Sequence, residues 1–173
     1  MSPEIFRAFA RYNRWMNEKI YLTAAELTDD ERKKDRGAFF KSIHATLNHI
    51  LVVDRVWMGR LGGVHLEEGE MGPGGIRSLD QELLSNFEEL RTERAKTDAA
   101  IDAWARSLNE EQSASLFSFV RNGAKSEIPV WWAATQLFNH QTHHRGQVTT
   151  LLVQAGKDPG VTDLMAMLRS ETS

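Results

Sequence analysis

The stretch 130–156 reads VWWAATQLFNHQTHHRGQVTTLLVQAG, and its spacing decides the fold. Ala133, Leu137, His140, His144, Val148, Leu151 and Ala155 follow one another at intervals of three and four, the period of one helical face. Both histidines on that stripe stand where a helical bundle expects Leu or Ile, so they are expected to point into the core. His143 points roughly 100° away around the helix. Gly156 is placed as the C-terminal stop.

Upstream, residues 113–130 break the helical rhythm. Leu116, Phe117, Phe119 and Val120 precede Arg121-Asn122-Gly123, and Asn-Gly is a favoured hairpin turn, so a short β-hairpin or extended crossover is expected. A long helix is expected before it, from a capping box at Ser78 and Gln81 to about Leu108, through Leu83, Phe87, Leu90, Arg94, Thr97, Ile101 and Trp104. A further helix is expected over about 38–61, carrying Ile43, Leu47, Ile50, Val53, Trp57 and Leu61. Gly62-Gly63 stops it. The run through Gly69, Gly72, Pro73, Gly74 and Gly75 is a loop, either a plain connector or the rim of a substrate mouth. It lacks a GK[ST] ending and follows no strand, so it is not a phosphate-binding loop.

The first helix is expected over about 4–27, with Ile5, Phe9, Tyr12, Met16, Ile20, Thr23 and Leu27 on one stripe, Ser2 as N-cap and Pro3 in the first turn. The polar run from Thr28 to Arg36 ends it, and its basic residues are flanked by Asp29, Asp30, Glu31 and Asp35, as in a solvated loop. Thr162 to Arg169 is expected to add a short helical piece. Four long amphipathic helices without repeated strands predict an all-α fold, a four-helix bundle, in one domain over residues 1–173.

Composition narrows the function. At 173 residues, 41% hydrophobic and 26% charged, the chain has an ordinary globular make-up. A net charge of -3 gives no field that would draw it to nucleic acid or an anionic membrane. No apolar run approaches the ~20 residues that span a bilayer, so neither a nucleic-acid nor a membrane partner is expected and the compartment is read as cytoplasmic. With no cysteine, a metal here must use His, carboxylate or backbone oxygen.

Six histidines in 173 residues give by chance roughly 0.2 pairs at i,i+4, so an isolated HxxxH is weak. Position strengthens it: two imidazoles one turn apart have Cβ atoms ~5–6 Å apart, close enough to share one ion. A third ligand has to come from a facing helix, and His49 is the best candidate, at mid-length of the second long helix. His44 lies five residues earlier, an awkward helical offset, so at most one of the two is expected at the site. Three neutral imidazoles leave a coordination position open, the pattern of a catalytic site. The competing reading is a bundle with buried, hydrogen-bonded histidines and no metal. Neither HExxH nor a Glu-x-x-His pair is present, which favours one ion over two. Arg145 and Gln147 are read either as supports of the site or as plain surface residues. Asp54 is expected to be solvated rather than a fourth ligand. The tryptophans 15, 57, 104, 131 and 132 are expected in the core or a dimer interface, with Trp57 also a candidate pocket wall.

Thr46-Leu47-Asn48-His49-Ile50 with Trp57, and His140-Gln141-Thr142-His143-His144-Arg145-Gly146-Gln147 with Gly156, resemble the DinB-like family, the DinB/YfiT-like metalloenzymes. Tyr12-Asn13-Arg14-Trp15-Met16-Asn17 is similar to that family's first helix. The resemblance implies an up-down-down-up four-helix bundle with one divalent ion, zinc or nickel, on His49, His140 and His144. It also implies a homodimer and an enzyme that works with a low-molecular-weight thiol, as an S-transferase or isomerase. A metal-dependent hydrolase is the nearest variant, and a non-catalytic, stress-associated metal-binding bundle is the alternative from another class. No residue stands out as a general base.

Overall fold

The computed structural model describes residues 2–62, 71–121 and 124–171. Helix α1 (Pro3–Ala25) starts where the Ser2 hydroxyl accepts the Glu4 N–H, with Pro3 in the first turn, where a missing donor costs nothing. A short helix α2 (Asp29–Lys33) follows, built by a reciprocal Thr28–Glu31 capping box, where the sequence predicted only a polar loop. Helix α3 (Ile43–Leu61) begins later than expected because Ser42 caps it and the preceding residues close a tight turn, with an Ala38–Lys41 bridge and Lys41 at φ 65°.

Helix α4 (Phe87–Ser107) also begins later, capped by Asn86 rather than Ser78. The physical reason is competition for backbone groups. The Asn48 side chain of α3 accepts the N–H groups of Leu83 and Leu84 (3.0 and 2.9 Å), and the Leu84 carbonyl accepts from Asn48 and lies 2.9 Å from His44 Nε2. A strap laid across α3 and bonded to its side chains cannot also be helical.

Helix α5 (Glu110–Ala114) leads into strands β1 (Leu116–Arg121) and β2 (Ala124–Pro129), which pair antiparallel from Leu116↔Pro129 to Arg121↔Ala124. The hairpin was anticipated; its Asn122-Gly123 turn lies outside the described residues, as do Gly63 and Gly69 of the glycine-rich loop. Helices α6 (Val130–Gln154) and α7 (Leu164–Glu171) complete the chain. Among the described residues the protein is mostly helical with one two-stranded sheet, and no helix is long and apolar enough to cross a membrane.

The four long helices pack on one another, α1 against α4 and α6, and α3 against α6 and α4. One apolar cluster gathers Met16, Ile20, Leu47, Leu51, Leu90, Val148 and Leu152. A second holds Phe6, Ala10, Ile101, Leu137 and Phe138. Between them, in chain position on each helix, lie the buried polar residues Asn13, Asp54, Arg94 and Asp98, Gln141 and Arg145. Tryptophans 57 and 131 pack on the second cluster's edge, and Trp57 meets Phe119 of β1 edge to face, so it buttresses the hairpin. Trp132 is 54% exposed and lies outside the core, which leaves the dimer-interface expectation for it.

Candidate metal centre

Three imidazoles meet at the seam between α3 and α6. His49 is buried, and His140 and His144 are half-buried one turn apart. Their ligand-capable atoms all lie within 4.8 Å of one another, and His49 Nε2 is 3.0 Å from His140 Nε2. Tetrahedral coordination at ~2.0–2.1 Å sets neighbouring nitrogens about 3.3 Å apart, so small side-chain adjustments bring the group around one ion.

Hydrogen bonds behind the rings aim them. His49 Nδ1 lies 2.7 Å from the Leu79 carbonyl and must donate to it, which leaves the Nε2 lone pair directed inward. His144 Nδ1 donates to Gln147 Oε1 at 2.7 Å, with the same result, and Gln147 Nε2 lies 3.3 Å from His143 Nε2. His140 Nδ1 is buried without a partner among the described residues. Converging lone pairs suit a cation: with none, two facing nitrogens must share a proton.

Burial holds the rings neutral, as metal ligands must be. Desolvation, reinforced by His144 and His49, pushes the His140 pKa down to about 3. Desolvation also lowers His49 and His144, partly offset by the bonds to Leu79 and Gln147. Phe40 supplies an apolar wall, stacked on His49 with centroids 3.9 Å apart and edge-on to His144 at 5.5 Å. His44 stays out of the group, held by the strap, and exposed His143 lies outside it with its ring edge-on to His144, centroids 4.7 Å apart.

The sequence reading aimed His140 and His144 into the core, and here it is corrected. The core-facing stripe of α6 is Ala134, Leu137, Gln141, Arg145, Val148 and Leu152, which sets the histidines at the helix's flank, against α3. That stripe is just as periodic, but it runs through Gln and Arg, which apolar patterning skips. Arg145 and Gln141 are buried, and so is Asp54, expected to be solvated. Position 54 continues the inner face of α3 one turn after Ile50, and its charge is met there. Gln141 Nε2 donates to Asp54 Oδ2 at 2.8 Å, Arg94 pairs with Asp54, and Arg94 Nη2 lies 2.8 Å from Asp98 Oδ1. Asn13 donates to Asp98 at 2.7 Å and accepts from Arg145. Two carboxylates face two guanidinium groups, so the layer is neutral as a whole, although burial still raises the Asp54 pKa against the pull of Arg94. The polar layer therefore ties α3 to α6 directly behind the histidines.

Comparison with known proteins agrees with this architecture. The model of the DinB family matches residues 1–173. Protein DinB of Bacillus subtilis (strain 168) is 24% identical over 165 residues, which covers 94% of this chain and 92% of the relative. The crystal structure of a DinB-like protein from Bacillus cereus ATCC 10987 superposes with a TM-score of 0.63 at 22% identity, over 88% of this chain and 95% of that one.

Proposed function

We propose, since the chain belongs to the DinB family, that it binds one divalent metal ion through His49, His140 and His144 and acts as a metal-dependent enzyme. The observation that carries this reading is the convergence of three neutral imidazole nitrogens within 4.8 Å. Zinc or nickel suits three imidazoles. When bound, the ion would supply Lewis acidity and lower the pKa of whatever fills its open position.

The chain's own residues account for orientation and desolvation. Leu79 and Gln147 fix the tautomers of His49 and His144, the Asp54–Gln141 bond holds α3 in register with α6, and Phe40 keeps water off one side. Without cysteine, sulfur chemistry here needs a thiol co-substrate, and we favour an S-transferase of that kind, with metal-dependent hydrolysis as the nearest variant. We further propose the up-down-down-up bundle, a homodimeric state, a single domain and a cytoplasmic setting, all of which follow from the family resemblance or from composition.

Elemental analysis of the purified, untagged protein beside His49→Ala and His144→Ala tests the centre. About one equivalent of metal in the parent, lost in both variants, is expected. A folded protein that carries no metal and takes up neither zinc nor nickel would overturn the reading.

A further inference from the structure

The imidazoles of the metal centre are aimed by groups of different kinds. His49 Nδ1 faces the Leu79 carbonyl, which can only accept, so its proton has one place to be. His144 Nδ1 faces the side-chain amide of Gln147, which accepts at one end and donates at the other. Turned over, that amide would donate to Nδ1 and send the His144 proton to Nε2, the nitrogen an ion needs bare. The aim of His144 is therefore only as good as whatever holds Gln147.

That holding group lies outside the three-histidine cluster. His143 Nε2 is 3.3 Å from Gln147 Nε2, one helical turn away on α6, while Gln147 Oε1 is the atom 2.7 Å from His144 Nδ1. The 2.7 Å contact has the length of an N–H···O bond, which puts the amide oxygen on the His144 side. The NH₂ end then donates to His143, whose Nε2 must present a lone pair. The rings of His143 and His144 also meet edge to face, with centroids 4.7 Å apart.

An amide between two imidazoles admits two consistent arrangements. In the one seen here both rings carry the proton on Nδ1, and His144 Nε2 is bare. In the other the amide is reversed, both rings carry the proton on Nε2, and His144 is closed to a cation. His143 is exposed and Gln147 half-buried, so the choice is made at the surface end of the chain. We propose that His143 is a positioning residue for the centre: it accepts from Gln147, the amide so held accepts from His144, and His144 Nε2 stays free for the ion. The inference rests on the metal reading above and adds to it a solvent-facing residue that sets one ligand.

Substitutions of opposite polarity at the exposed position test it without threatening the fold. His143→Glu can only accept and keeps the observed arrangement, whereas His143→Lys can only donate and draws the Gln147 oxygen away from His144. Long-range 1H–15N correlation spectra of the metal-free protein at pH about 8, above the ~6.5 of free imidazole, report the His144 tautomer. They are expected to show the proton on Nδ1 in the parent and His143→Glu, and on Nε2 in His143→Lys. Zinc titrated at high salt, which screens bare charge, should bind His143→Lys about tenfold or more weakly than His143→Glu. Saturating zinc still fills either centre, so the effect is one of affinity and not of capacity. Both differences should vanish when Gln147→Leu is added, because the chain is then cut. The same His144 tautomer in both variants, or differences that persist with Gln147→Leu, would overturn the proposal. The tautomer is read without metal, so a parent that takes up no zinc counts against the metal reading alone.

Discussion

Four of the imidazoles, His44, His49, His140 and His144, are held below their ordinary pKa, each first by desolvation, and His140 the furthest, at about 3. In the unfolded chain the same groups titrate near 6.5. Below that pH the unfolded state binds protons that the folded state refuses, so stability must rise with pH through this window and drain away as pH falls from about 6.5 toward the folded values. Each such histidine contributes at most about 1.4 kcal/mol per pH unit. Urea denaturation of the metal-free protein between pH 7.5 and 5 should therefore show falling midpoints, and a shallower fall in His140→Leu. A flat profile would mean that the rings take up protons as readily in the folded protein as in the unfolded chain, so that burial does not hold them neutral.

At the scale of elements, the strap 79–84 is the part of the site that no periodicity reveals. Asn48 spends both ends of its amide on Leu83, Leu84 and the His44 carbonyl, and the strap's Leu79 carbonyl aims His49. Asn48→Ala should cost on the order of 2–4 kcal/mol, because buried N–H groups lose their acceptor, and should also loosen metal binding as Leu79 drifts from His49. Urea midpoints and a zinc titration of the same variant check both halves; a destabilised protein with undiminished zinc affinity would separate the strap from the site. The strap also explains what the sequence could and could not tell. Leu79, Leu83 and Phe87 fit a helical period, and Ser78 with Gln81 looks like a cap, yet the helix begins eight residues later, after Asn86. The four long helices, the hairpin and the His140–His144 pair were legible because each rests on local spacing, whereas His49 was reached only by asking what a facing helix could supply. The polar layer was not, because buried Asp54, Gln141 and Arg145 are paid for by partners on other helices, and spacing carries no record of those partners.

Across the whole molecule, the two apolar clusters are held apart by that neutral polar layer, and the histidines sit where α3 and α6 cross it. Ligands drawn from two helices make metal binding and folding one equilibrium: the unfolded chain scatters His49 some ninety residues from His140 and cannot offer the three-nitrogen site. An ion bound only by the folded state stabilises it by about 2.7 kcal/mol at a hundredfold excess over Kd. For a chain of this length, 1 kcal/mol moves Tm by roughly 2–4 °C, so saturating zinc should raise the melting temperature by roughly 5–10 °C. His49→Ala removes the α3 ligand and should abolish the rise, while exposed His143→Ala, whose ring touches His144 but lies outside the three-histidine group, should keep it. Equal shifts in the parent and His49→Ala would place the zinc elsewhere on the surface and leave α3 without a share in the centre.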